Sequence, residues 1–211
     1  MPDTSASLYE QLFPLSTIMG QRFVDNFSGD ALDTDRWTTT ISGSGTSSMN
    51  DTVNGGVLLD ASATSGGAST INFNDIRQYS YNSSEIILVS KINEVGVNSF
   101  EAYSGFSDKT TTLFAEGAWV YKTHSNANWQ LATSSGSFTF TATSVSASND
   151  TYNIFKMVLG GSDVVLTVDG LTGATNTTNL PSTNLQPMIG LNTASNNSKT
   201  MNVLYCEAYN T

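Results

Sequence analysis

Two runs of alternating apolar residues, at 152–159 and 164–168, stand on either side of the tetrad Gly160-Gly161-Ser162-Asp163, and Asp169-Gly170 closes the second run. In the first run Phe155, Met157 and Leu159 alternate with Lys156 and Val158. In the second, Val164, Leu166 and Val168 alternate with Val165 and Thr167. A side-chain period of two places alternate residues on opposite faces of a strand, and the Gly/Asp pairs supply the backbone conformations of a tight reversal. The stretch predicts a half-buried antiparallel hairpin. A chain with such a hairpin at its centre must cover one face of a sheet with a second layer.

The rest of the chain extends this pattern. Strand-like runs are read at 55–60, 69–73, 84–92, 100–106, 112–114, 119–122, 129–133 and 138–142, with 76–81 leading into the run at 84–92 and 38–54 read as strand and loop. Short runs recurring about every eight to twelve residues between Ser/Gly turns are the pattern of a sandwich. Charged residues make up only 12% of the chain, and Ser, Thr, Asn and Gly fill the polar positions. Long helices usually carry Glu and Lys on their exposed faces, so this composition favours an all-β fold. At 211 residues the chain suits one sandwich domain, placed at 21–211, behind a leading arm at 1–20.

The formal net charge is −10, and the eight Lys plus Arg are scattered singly. No basic cluster is available to neutralise phosphates or an anionic lipid surface, so neither nucleic acid nor membrane is expected as a partner. The single Cys206 excludes an intrachain disulfide and reads as a small apolar residue of the last strand. The first twenty residues contain no Lys or Arg and no long apolar run, so no secretory signal is expected there. Their Leu8, Tyr9, Leu12, Phe13, Leu15 and Ile18 are nevertheless more apolar than a free tail requires, at helical spacing until Pro14 interrupts. That arm is expected either to fold back on its own sandwich or to make an assembly contact through Leu8, Tyr9, Leu12, Phe13 and Ile18.

Three stretches carry a resemblance. V-x-L-x-V-D-G at 164–170 follows a Lys-bearing alternation. D-x-F-x-G at 25–29 leads to Leu32-Asp33 and closes on Trp37. The run at 203–209 reads VLYCEAY. Together they resemble the concanavalin A-like lectin/glucanase superfamily, over roughly residues 21–211 in order. The resemblance implies a two-sheet antiparallel jelly-roll β-sandwich whose final strand returns beside the first, with Leu32 and Trp37 plugging one end of the core. Some members bind a structural calcium ion. Asp25, Asp30, Asp33 and Asp35 keep that option open, although their spacing lacks the ligand rhythm of a known calcium loop. Otherwise no metal or other cofactor is expected.

The hydrolases of that superfamily carry E-x-D-x-x-E on one strand, because retention needs two carboxyl groups about 5–5.5 Å apart. The motif is absent from this chain. Glu101 and Glu116 are single carboxylates on neighbouring runs, and only a meeting across strands would pair them. His124 sits in a polar loop and no G-x-S-x-G elbow exists, so a serine triad has no frame. No catalytic residue is assigned, and the chain is not expected to be an enzyme. A sugar platform is a candidate: Trp119, Tyr121 and Trp129, with Asn126 and Asn128 nearby, are the aromatic faces and amides that a carbohydrate uses. The same tryptophans would equally serve to fill a core.

These features give a non-enzymatic structural or interaction protein, read as a virion protein of the phage capsid decoration, cement or head-fibre type, docked by the 1–20 arm. The expected partners are capsid or other virion subunits, a second or third copy of the chain as a dimer or trimer, and surface glycans. The alternative is a carbohydrate-binding module or lectin, and a glucan hydrolase comes third.

Overall fold

The computed structural model describes residues 22–50, 55–63, 65–95, 99–109, 116–194 and 198–211. The expectations for the 1–20 arm, including Leu8, Tyr9, Leu12, Phe13 and Ile18, and for a strand at 112–114 lie outside the described residues.

Fifteen strands are described: β1 (Arg22–Asp25), β2 (Thr38–Ser42), β3 (Thr46–Met49), β4 (Val57–Asp60), β5 (Ala68–Asn72), β6 (Ser84–Ile92), β7 (Phe100–Ser107), β8 (Glu116–Thr123), β9 (Asn128–Ser135), β10 (Phe138–Ser146), β11 (Asn153–Leu159), β12 (Val164–Val168), β13 (Leu171–Asn176), β14 (Gln186–Thr193) and β15 (Thr200–Asn210). They form two antiparallel sheets. One has eight strands in the order β13-β12-β11-β6-β15-β4-β3, with β1 beside β15. The other has seven, in the order β10-β9-β8-β7-β14-β5-β2. This is the jelly-roll sandwich. Among the described residues there is no helix, hence none long and apolar enough to cross a membrane.

The hairpin at 152–170 organises the eight-stranded sheet as its alternation requires. β11 pairs with β12 on one side and β6 on the other, and Phe155, Met157, Leu159, Val164, Leu166 and Val168 all face the core. Burying each such side chain contributes about 1.5–3 kcal/mol. At its tip Gly160 N–H donates to Asp163 O at 2.9 Å. The final strand does return beside the first, with Phe23 opposite Ala208 and Asp25 opposite Cys206. Cys206 is buried in the core as a small apolar residue, and burial raises its thiol pKa well above the ordinary value.

Trp37 is 1% exposed and packs against Phe23, Phe27 and Phe73 at ring distances of 5.5–5.8 Å, closing one end of the core with Leu32 alongside. The nearby aspartates serve this turn. Asp25 accepts from Phe27 N–H at 2.7 Å and from Trp37 Nε1–H at 2.8 Å, and Asp33 Oδ1 accepts from Asp35 N–H at 3.1 Å. Residues 76–81 lead into β6 without forming a strand of their own. Only Tyr79 makes a bridge, to Leu185, because Asn74 and Asp75 immediately before it take left-handed backbone conformations that break the ladder.

Candidate functional site

Antiparallel partners point to the same side of a sheet, so the registers sort every side chain of the seven-stranded sheet by face. Trp129, Leu131, Ala118, Val120, Phe106, Ile189 and Ile71 face the core. The outward set begins with the row Gln130–Tyr121–Tyr103–Gly190–Thr70 and the row Phe140–Ala132–Trp119–Gly105–Met188. A third row joins Thr123, Glu101 and Asn192 at the strand ends.

This outward face has two halves. In one, Tyr103, Trp119, Tyr121, Ala132 and Met188 form a second buried cluster with Phe138 against it, and every described member comes from this one sheet. The rings lie down along the sheet because glycines make room for them. A Cβ at Gly190 would stand 2.3 Å from the Tyr103 ring, and one at Gly117 would stand 2.3 Å from the Trp119 ring. Tyr103 Oη shares a 3.0 Å hydrogen bond with Thr70 Oγ1, and burial pushes its phenol up to about 12. Trp119 Nε1 and Gln186 Oε1 are buried on this face without a hydrogen-bond partner.

The other half is polar and partly open. Tyr121 Oη donates to Glu101 Oε1 at 2.7 Å, and burial followed by that carboxylate drives the Tyr121 phenol well above its ordinary pKa. Gln130, Asn192 and Thr123 stand beside this pair, each half-buried. Phe140 lies 5.0 Å from the Tyr121 ring and stacks at 5.2 Å on Phe138, yet is 45% exposed. The arrangement offers what a polyhydroxylated ligand requires: an aromatic edge for C–H faces, and a carboxylate and amides for hydroxyls.

Of the five platform residues expected from the sequence (Trp119, Tyr121, Asn126, Asn128 and Trp129), the structure brings Trp119 and Tyr121 into one cluster on this face, with Asn128 on the same side at the start of β9. Trp129 points the other way, into the core, where it meets Phe155 at 4.7 Å and donates through Nε1 to Asn153 at 3.2 Å. The odd-numbered step from Asn128 to Trp129 sends the two to opposite sides. Asn128 lies at the edge with β10, where its amide donates to Thr143 O at 2.8 Å and its Oδ1 accepts from Ser146. Asn126 belongs to the β8–β9 turn and accepts from Asn128 N–H at 3.0 Å. Tyr103, Met188, Phe138 and Phe140 are added by the structure. Continuing the period of two from Trp119 to neighbouring runs points at Phe138 and Phe140, but Tyr103 and Met188 depend on the pairing order.

Glu101 and Glu116 do not meet. Glu101 pairs opposite Thr123, and Glu116 lies seven residues from Thr123 on the same strand, so the two carboxylates are on opposite faces and roughly 23 Å apart along the sheet. Glu116 is engaged by Ser182, whose N–H donates at 2.8 Å. Burial raises its pKa, but the hydrogen bonds from Ser182 and Thr183 outweigh that and hold it below the usual value. Among the described residues, Glu101 is the one carboxylate that a strand of this sheet carries outward, and it makes no ion pair. His124 is exposed in the β8–β9 turn. A separate cleft of about 310 Å³, lined by Asp30, Leu32, Ser47, Ser48, Met49 and Val57, has one carboxylate and no aromatic ring.

No protein-family model matches the chain, and no curated protein is similar to it. Solved structures are similar in fold. A protein of unknown function from Shewanella oneidensis superposes with a TM-score of 0.68 at 13% identity, covering 97% of this chain and 94% of the other. The β-glucanase of Bacillus licheniformis gives 0.65 at 14% identity, covering 91% and 99%. A glycoside hydrolase family 16 endo-glucanase from Bacteroides ovatus gives 0.64 at 12%, covering 87% and 98%. At these identities the likeness is one of architecture: the chain has the concanavalin A-like jelly-roll fold that these glucanases share.

Proposed function

We propose that this chain is a non-catalytic carbohydrate-binding jelly roll that holds a glycan against the polar half of the outward face of the seven-stranded sheet. One observation carries the reading: Glu101, in one row with Thr123 and Asn192 and held by Tyr121, whose strand partner is Gln130 and whose ring meets the exposed Phe140, is a half-buried carboxylate with no cation among the described residues to neutralise it. A carboxylate in that setting is an acceptor for sugar hydroxyls, and the charge strengthens each hydrogen bond. A retaining hydrolase needs a second carboxyl about 5–5.5 Å away, and the described strands of this face supply none. One structural neighbour of similar fold is in complex with a mixed-linkage glucan product, which makes β-glucans the first ligands to test.

The test is isothermal titration with mixed-linkage and β-1,3-glucan oligosaccharides, alongside a reducing-end assay on the same samples. Binding that falls at least about tenfold in Phe140→Ala and Glu101→Gln, with no reducing ends released, is the expected outcome; a tenfold loss corresponds to about 1.4 kcal/mol. Absence of binding to either glucan would count against the ligand class. Reducing ends released by the wild type and lost in Glu101→Gln would replace the reading with a hydrolase.

A second reading mounts the same sandwich on a larger particle, as a virion decoration or head-fibre protein. Its support is the apolar sequence of the leading segment, with Leu8, Tyr9, Leu12, Phe13 and Ile18. Deleting residues 1–20 should leave a folded sandwich that no longer co-sediments with the particle.

A further inference from the structure

We infer that the ligand of the polar half brings a cation of its own: it is an amino sugar, a glycan with a protonated amine that docks on Glu101. Resting on the glycan reading, this narrows the ligand from sugars in general to one charge class. Glu101 stands in an incomplete triad of tyrosine, carboxylate and cation. On the opposite sheet Glu207 receives the Tyr205 hydroxyl at 2.5 Å and the Arg22 guanidinium at 2.8 Å, and Glu85 receives the Tyr209 hydroxyl and the Lys156 ammonium at 2.9 Å. Glu101 has its tyrosine, Tyr121, on Oε1 at 2.7 Å. Among the described residues nothing donates to its Oε2 and no cation pairs with it. Asp25, Asp169 and Glu116 also lack a cation, yet each accepts hydrogen bonds through both oxygens. Glu101 is met on one side only.

Cations stand close by but are turned away. Lys122 and Lys199 both lie over the ring of Phe100, the residue before Glu101, at 5.6 and 5.7 Å. The period of two sends Phe100 and Glu101 to opposite faces of β7, and puts Thr123 rather than Lys122 on the side of Glu101. Both lysines are fully buried and engaged: Lys122 donates to Val95 O, Thr123 O and Asn126 O, and Lys199 to Glu94 at 2.6 Å. β2, β5, β9, β10 and β14 carry no charged residue, and β8 sends Glu116 to the other face. Glu101 is therefore the one charge these strands present outward, in a chain of net −10. An anionic sugar is repelled there and a neutral one offers only hydroxyls, whereas an ammonium forms a hydrogen bond charged on both sides. The surroundings favour a sugar over a bare cation. The Thr123 hydroxyl and the Asn192 amide share the Glu101 row, and the Gln130 amide and the exposed Phe140 ring adjoin Tyr121. Amides satisfy hydroxyls, and a ring covers C–H faces.

Isothermal titration of the full chain with matched tetramers is the test: β-1,4-linked glucosamine, its N-acetylated form, and β-1,4-linked glucose. At about pH 6 an amine of α-amino type keeps its proton. The glucosamine tetramer should bind at least about fivefold more tightly than either of the others, the upper end of what an exposed ion pair supplies. Glu101→Gln, which keeps an acceptor for Tyr121, should abolish that preference. Asp30→Asn removes the same charge from an exposed site beside β3 and β4, and should keep it. The comparison of tetramers on the wild type depends on no variant folding. Equal or tighter binding of the glucose tetramer would overturn the inference while leaving the glycan reading in place. A preference that survives Glu101→Gln would also overturn it, as attraction to the net charge alone. Tetralysine binding as tightly as the glucosamine tetramer would overturn it in favour of a cationic peptide. Failure of every tetramer to bind would overturn it too, and the glucan titration above decides the glycan reading separately.

Discussion

The two outward faces of this sandwich handle a buried carboxylate in opposite ways. On the eight-stranded sheet, Glu207 and Glu85 each receive a tyrosine hydroxyl and a cation, so their charge is cancelled where it stands. On the seven-stranded sheet, Glu101 receives the Tyr121 hydroxyl and, among the described residues, no cation. The aliphatic residues on the first face are branched and half-exposed, whereas the rings on the second are pressed flat over glycines. A carboxylate that needs nothing further serves the surface it sits in. One left charged beside amides and an exposed ring is available to something else. That contrast sets Glu101 apart as the group proposed to meet a ligand.

The strongest way to break the comparison is Trp119→Ala. Although Trp119 faces away from the core, it is 0% exposed, so its removal should cost about 3–5 kcal/mol, as in an interior. Chemical denaturation measures this, and a loss below about 1 kcal/mol would make the aromatic half an ordinary surface. Next comes the pair of carboxylates. Glu207→Ala strands both Arg22 and Tyr205 and should cost about 2–3 kcal/mol, whereas Glu101→Ala strands only the Tyr121 hydroxyl and should cost about 1 kcal/mol. Equal costs would erase the distinction between a paired and an available carboxylate.

The smallest effect is in pH. Burial first, and the neighbouring carboxylates next, raise the phenols of Tyr121, Tyr205 and Tyr209 above their ordinary 10. Above pH 10 the unfolded chain gives up these protons while the folded chain keeps them. The folded state then binds more protons, and stability must fall as pH rises. Thermal unfolding between pH 9 and 11 should show the decline, and Glu101→Gln should lessen it only slightly, since burial at Tyr121 remains. Below pH 10, Lys122 works in the other direction. It is fully buried and donates to Val95 O, Thr123 O and Asn126 O, and burial lowers its pKa to about 8. Between about 8 and its ordinary value the unfolded chain holds the extra proton, so this group adds stability as pH rises through that window.

Much of the fold was legible because its signals are local. The strand at 84–92 matches β6 end to end, and the run at 164–168 matches β12. β13 was missed, although Asp169-Gly170 announced it. With φ of 52° and 79° these two residues make the tight turn that sends the chain straight into another strand, but LTGATN lacks the apolar alternation by which strands are read. Its buried residues are Ala174 and Asn176, and the Asn176 amide bonds to Thr133 Oγ1 at 3.1 Å across to the other sheet. The candidate site was half legible. Trp119 and Tyr121 share a face by their spacing alone, while Tyr103 and Met188 join them only because β7 lies between β8 and β14.

By itself, the sequence determined that the chain forms half-buried antiparallel strands, that Cys206 is a core residue, and that no strand carries the paired carboxylates of the glucanases. Those properties follow from period and residue type, which neighbours in the chain already fix. Only the tertiary structure decided that Trp129 fills the core while Trp119 looks outward, that Glu101 and Glu116 lie on opposite faces, and that Glu207 meets Arg22 at 185 positions' separation. Such facts depend on which strands become neighbours and in what register, and that is set by packing one sheet on the other.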